Sequence, residues 1–216
     1  GITGDTRFDR VIQLPLQKKE IPEVAQFVAD HPVLIAGSTW PDDEVLLHDV
    51  AGKYDEWKMI IAPHEIHDKH IQSIQELFPA ALRFSGFSAY SPEVIRSAQV
   101  LIIDNIGMLS SLYGYGNVAY IGGGFGAGIH NTLEAATYGI PVIFGPKYHK
   151  FQEAKDLIEC GAGFSISGTA ELQTVFAEFQ QLEKRVFAGE EARKYVRQRA
   201  GATAVIMKYL ICKKLL

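Results

Sequence analysis

Short apolar runs, each too brief for a helix, alternate along this chain with segments of helical length and pattern. The runs fall at 33–37, 58–62, 81–85, 99–104, 117–121 and 141–144, with an edge-like one at 163–166. The best defined, Val33-Leu34-Ile35-Ala36 and Val118-Ala119-Tyr120-Ile121, are continuously apolar rather than alternating. Strands of that kind are covered on both faces and belong to parallel sheets. Helices are expected at 42–50, 67–77, 108–113, 130–138 and 151–160, the last capped by Gly161. Two closing helices are expected at 169–182 and 190–210, so that helix closes the chain from about 169 to 214. Strand and helix in alternation dictate an α/β fold, a Rossmann-like parallel sheet with helices on both faces. In such sheets ligands bind beyond the carboxyl ends of the strands, where the strand order reverses. Function is therefore sought in the loops after Ala36, Ala62, Asp104, Ile121 and Phe144.

Composition narrows the class. The 216 residues show no repeat, low-complexity tract or internal linker, so 1–216 reads as one domain. A net charge of −4 supplies no basic field for nucleic acid. Cys160 and Cys212 are too few for a disulfide framework or a cysteine metal site, which makes a reducing compartment the default. No apolar run reaches 18 residues, and the chain itself is expected to be soluble. Residues 1–10 lack an initiating Met and any clear element, and read as the continuation of something upstream.

The most informative loop is Gly122-Gly123-Gly124-Phe125-Gly126-Ala127-Gly128, with five glycines in seven residues, placed between a strand and a helix. Glycines let backbone come close to a ligand, and their N–H groups together with a helix start form an anion site. Glu134, about one turn into the helix, is placed to reach a sugar hydroxyl beside a bound phosphate. The spacing is neither a dinucleotide fingerprint nor a Walker loop. Tight packing alone is the competing account of the glycines.

Other strand-end residues have two readings each. Ser38 and Thr39 can donate hydroxyls to a phosphate, or cap the next helix. Asp104-Asn105-Ile106-Gly107-Met108 can present backbone to a base edge with Met108 on the ring, or be a plain turn. His64, His67 and His70 lie close enough to raise a metal site, but the spacing is not H-E-x-x-H and a solvated helix face is preferred, with His64 facing the cleft. Lys147, Tyr148, His149 and Lys150 can bind an anion or form a solvated loop. The tail over 205–216 mixes lysines with apolar residues; packing across a neighbouring domain is preferred to a membrane surface.

In order along the chain come Ala36-Gly37-Ser38-Thr39, Ala62-Pro63-His64-Glu65, Asp104-Asn105-Ile106-Gly107-Met108-Leu109, Gly122-Gly123, His130-Asn131-Thr132-Leu133-Glu134-Ala135-Ala136 and Gly139-Ile140-Pro141-Val142-Ile143-Phe144-Gly145-Pro146. This series resembles the carboxyl-terminal half of bacterial Kdo transferases, over nearly the whole chain. Thr3-Gly4-Asp5-Thr6-Arg7-Phe8-Asp9 resembles the segment leading into that half.

The resemblance implies the carboxyl-terminal domain of a GT-B glycosyltransferase. Such a domain binds the donor, CMP-Kdo, for transfer of Kdo to the lipid A precursor in lipopolysaccharide synthesis. The acceptor and the catalytic base, a Glu, would belong to an amino-terminal half, so no catalytic residue is expected here and the isolated chain is expected to be inactive. Glu134 would hold the CMP ribose. The loop from Gly122 through Gly123 and Gly124 to His130 and Asn131 would face the donor phosphate. Ile106, Gly107 and Met108 would line the cytosine, and Arg7 would meet the donor phosphate or carboxylate. Ser38, Thr39, His64 and Lys147 complete the donor-binding set. No metal or cofactor is implied. The parent enzyme would work at the cytoplasmic face of the bacterial inner membrane. Against the family pattern, Gly124 replaces a Ser, Ile129 a Gly, and Thr132 and Ala135 replace prolines. The rival readings are a donor domain of a GT-B UDP-sugar transferase or epimerase, and a non-catalytic nucleotide-sugar-binding module; nucleotide preference separates them.

Overall fold

A computed structural model describes residues 4–213. Seven strands form one sheet: β1 (Val33–Thr39), β2 (Lys58–Pro63), β3 (Leu82–Arg83), β4 (Val100–Ile102), β5 (Val118–Ile121), β6 (Val142–Phe144) and β7 (Gly163–Ser165). Their spatial order is β3-β4-β2-β1-β5-β6-β7, and every ladder is parallel. The chain builds outward from β1 on one side, then crosses to β5 on the other. The switch point is therefore between β1 and β5. Eleven α-helices are described: α1 (Thr6–Val11), α2 (Pro22–Val28), α3 (Pro41–Lys53), α4 (Asp68–Leu77), α5 (Pro92–Ser97), α6 (Leu109–Leu112), α7 (Leu133–Ala136), α8 (Gln152–Glu159), α9 (Thr169–Glu178), α10 (Leu182–Arg199) and α11 (Ala202–Cys212).

Successive side chains of a strand point to opposite faces, and the core divides accordingly. Ile35, Ile60, Leu101, Ala119 and Val142 join Phe27, Leu157 and Val196 on one face. Leu34, Met59, Ile102, Tyr120 and Ile143 join Leu47, Ile74 and Phe176 on the other. Helices thus cover both faces, as expected from the continuous apolar runs.

Several boundaries differ from expectation for identifiable reasons. The third strand shrinks to two residues because Phe84–Ala89 turns into a 3₁₀ helix. Residues 6–11 form a helix whose N-terminus is capped by the Asp5 carboxylate accepting from Arg7 N at 2.8 Å. The last long helix is broken: Gly201, at φ +114°, ends α10 and opens α11. The helix expected at 130–138 is one turn only. Asn131 Oδ1 takes Leu133 N at its start, and Gly139, at φ +74°, turns the chain away at its end.

Candidate functional site

The carboxyl ends of β1, β2, β5 and β6 are tied together by backbone. Gly37 O accepts from Gly122 N at 2.9 Å, Thr39 O from His64 N at 3.0 Å, and Gly124 O from Lys147 N at 3.0 Å. Ser38 lies between the first two contacts with φ +55°, where the register of β1 against β2 shifts. A non-glycine residue there carries local strain of a kind that gathers at functional sites. Ser38 and the glycine loop therefore face each other across the switch point. The Lys147 ammonium reaches the same loop, donating to Gly126 O at 2.7 Å.

The glycine loop has two separate jobs. A Cβ on Gly122 would stand 2.3 Å from Ser38 O, and one on Gly124 would stand 2.6 Å from Gly145 Cα. These two glycines bring backbones together, so the packing account holds for them. The N–H groups of Gly122 and Gly123 are also committed, to Gly37 O and to Asp43 Oδ2 at 2.9 Å each. The expectation that both offer N–H groups to an anion is corrected accordingly. Among the described residues, the N–H groups of Gly124, Phe125, Ala127, Asn131 and Thr132 make no hydrogen bond within the chain. The uncommitted donors thus begin at Gly124 and continue along the loop to the short turn of α7, rather than gathering at the end of a long helix.

Beneath the loop is a buried carboxylate that the sequence reading treated only as a helix start. Asp43, in the first turn of α3, accepts from Tyr120 Oη at 2.7 Å, Gly123 N at 2.9 Å and Trp40 N at 3.0 Å. It is 1% exposed. Burial raises its pKa, and the three hydrogen bonds work in the opposite direction. Glu44 beside it is equally buried, accepting from Thr39 Oγ1 at 2.9 Å and meeting His70 Nε2 at 3.0 Å. Thr39 is therefore withdrawn from the candidate set, since its hydroxyl is internal and fully buried. Neither Ser38 nor Thr39 caps α3; Trp40 occupies that position.

Above the loop three aromatic rings pack together. His64 stacks on Trp40 with centroids 4.9 Å apart and on His130 at 4.3 Å. Trp40 Nε1 donates to His130 Nε2 at 3.2 Å. Burial, then the neighbouring His64, holds the His130 imidazole below its ordinary range. The other two histidines of the suspected cluster go elsewhere. His67 caps α4 by accepting from His70 N, and His70 is buried rather than on a solvated face.

Glu134 is half-buried, and its carboxylate accepts from Asn131 Nδ2 at 3.0 Å. Tyr113 is close by, packed over the end of β1 where a Cβ on Gly37 would meet its hydroxyl. The loop after β4 is exposed at Ile106 and Gly107, with Met108 half-buried against the core. Arg7 is engaged elsewhere: its guanidinium pairs with Glu153 at 2.7 Å and Asp5 at 2.8 Å, away from the glycine loop's own contacts. Trp40 and Asp43 were not anticipated as site residues. The available signal was a Trp followed by Pro-Asp-Asp in the loop leaving the central strand.

No family profile matches the chain. Against a 3-deoxy-D-manno-octulosonic acid (Kdo) transferase of Aquifex aeolicus it is 32% identical over 166 residues, which is 74% of this chain and 45% of that protein. The chain belongs to the Kdo transferase family. A Haemophilus influenzae Kdo transferase is 25% identical over 97% of this chain and 51% of its own length. The chain thus spans about half the length of these relatives. The carboxyl-terminal CMP-Kdo binding domain of WaaA from Acinetobacter baumannii shares the fold, with a TM-score of 0.66 at 22% identity over 89% of this chain and 98% of that one. The departures from the Kdo transferase pattern now have local accounts. Gly124 lies too close to Gly145 for any side chain. Ile129 and Ala135 are core residues, and Thr132 is fully buried with its Oγ1 unpartnered.

Proposed function

We propose that this chain is the donor-binding half of an inverting glycosyltransferase that moves Kdo from CMP-Kdo to the lipid A precursor. The observation that carries the proposal is the arrangement at the switch point of a Kdo transferase relative: uncommitted N–H groups at Asn131 and Thr132, the Lys147 ammonium, and Glu134 one residue into α7. The N–H groups and Lys147 would stabilise charge on the departing CMP phosphate. Glu134, oriented by Asn131, would accept from the ribose hydroxyls. Ile106, Gly107 and Met108 would lie against the cytosine, and Ser38 and His64 would border the sugar. Arg7 would reach the donor only by leaving Glu153. The scheme draws on no metal or cofactor. The base that deprotonates the acceptor, the lipid A precursor itself and attachment to the cytoplasmic face of the inner membrane would be supplied by the rest of the enzyme.

Calorimetric titration with CMP and with UDP tests this reading. Binding of CMP in preference to UDP is expected, and Glu134→Ala should weaken it by about tenfold or more, the range of a lost hydrogen bond to a charged group. Preference for UDP would move the chain to a UDP-sugar enzyme. A CMP affinity untouched by Glu134→Ala would remove Glu134 from the ribose.

A further inference from the structure

The Trp40–His64–His130 stack constrains the protons of one histidine. An indole Nε1–H can only donate. Its partner, His130 Nε2 at 3.2 Å, must therefore present a lone pair. Turning the imidazole over would put a C–H in place of Nε2 and leave the indole donor unanswered. A neutral ring accepting at Nε2 carries its proton on Nδ1. Among the described residues His130 Nδ1 has no partner in the chain, and the ring is half-buried. Charging His130 would force a second proton onto Nε2, against the indole N–H.

We infer that Trp40 is a positioning residue that locks His130 as the neutral Nδ1–H tautomer, so that His130 serves as a one-proton donor to an oxyanion of the bound nucleotide sugar. The second half of this statement rests on the donor-binding reading above; the first does not. The oxyanion is either the phosphate or the sugar carboxylate. A neutral donor avoids a cation stacked against His64. Trp40 itself need not touch the ligand.

Long-range ¹H–¹⁵N NMR of the histidine rings in the free chain reads the tautomer directly. His130 should show a protonated Nδ1 and an unprotonated Nε2 at neutral pH. Trp40→Phe, which keeps a stacking ring, should shift it toward the Nε2–H form. A wild-type Nε2–H or freely exchanging pattern, or one unchanged in Trp40→Phe, overturns the lock. Addition of CMP, but not cytidine, should move the Nδ1–H proton downfield if the phosphate is the acceptor, whereas a shift that appears only with CMP-Kdo identifies the sugar carboxylate. Trp40→Phe should cost about tenfold in CMP-Kdo affinity. His130→Asn, whose amide N–H falls near the Nδ1 position, should retain more affinity than His130→Gln, whose amide falls near Nε2. The reverse ranking, or binding of CMP-Kdo without an Nδ1–H shift, overturns the donor role. Failure of CMP to bind at all counts against both that role and the donor-binding reading, while the ring-nitrogen pattern of the free chain still decides the lock.

Discussion

A carboxylate removed from water must be met by donors from the protein, and Asp43 is met by three. Its oxygens hold the side chain of β5's Tyr120, the N–H of the glycine loop and the N–H that opens α3. One residue thereby connects three pieces of backbone under the site. Truncation would leave those donors buried and unanswered, at roughly 1–3 kcal/mol for each orphaned group. Asp43→Ala is accordingly expected to lower unfolding free energy by about 3 kcal/mol in denaturant titration, with faster amide exchange at Gly123. An unchanged midpoint with unchanged exchange would show that the loop stands without the carboxylate. Residue-level contacts of this kind also separate Thr39, whose hydroxyl turns inward to Glu44, from Ser38, whose strained backbone faces the glycine loop.

Between elements, the close approaches decide what can be substituted. Gly122 touches the backbone at the carboxyl end of β1, where even a methyl group would overlap Ser38 O. Overpacking of a tight contact typically costs 1–3 kcal/mol and more where only backbone can yield. Gly122→Ala should therefore lower stability by about 3 kcal/mol or more by thermal unfolding, whereas alanine at exposed Gly126, whose nearest contact is 3.6 Å away, should be near neutral. Equal effects at the two positions would contradict this packing account. At the sheet's edge Asp104, after β4, gathers Ser85 N at 2.8 Å and Arg83 Nε at 3.0 Å from the segment around β3. Burial pushes its carboxyl pKa up, but those partners more than offset it and hold it below 3.8. A depressed folded pKa stabilises above the unfolded value and is lost as pH falls through the folded one. Stability should thus decline below about pH 3.8 in the native chain, and Asp104→Asn should flatten that acid limb in pH-dependent urea melts. A limb of unchanged steepness would refute the assignment to Asp104.

At the scale of the molecule, one sheet carries one set of loops. Its switch point between β1 and β5 assembles the candidate site, yet the chain spans only about half of its Kdo transferase relatives. On the proposed reading, donor binding and group transfer are separable. The chain is expected to bind CMP without catalysing transfer to a lipid A precursor in a radiolabel assay; full turnover by this chain alone would mean that it holds its own base. No helix among the described residues is long and apolar enough to cross a membrane. Exposed Val205, Tyr209 and Ile211 on α11 leave that helix with apolar surface outside the core.

Continuous apolar runs broken by turn residues were enough to read the layered α/β fold and five of the loops at its active edge, because burial on both faces leaves a direct mark on composition. The glycine loop was legible because unusual backbone needs unusual residues. Other features depended on distance in space. Whether Gly122 frees or fills its surroundings depends on how near β1 lies, and whether Thr39 faces a ligand depends on where Glu44 is buried. The tautomer of His130 depends on an indole ninety positions away in sequence. Helix lengths were misjudged where capping by Asn131 or a left-handed glycine at 139 or 201 outweighed pattern. Periodicity determined the layers and the order of the loops. Only tertiary packing decided which polar atoms are satisfied inside the protein and which are left to meet a ligand, because a hydrogen-bond partner is set by proximity rather than by spacing along the chain.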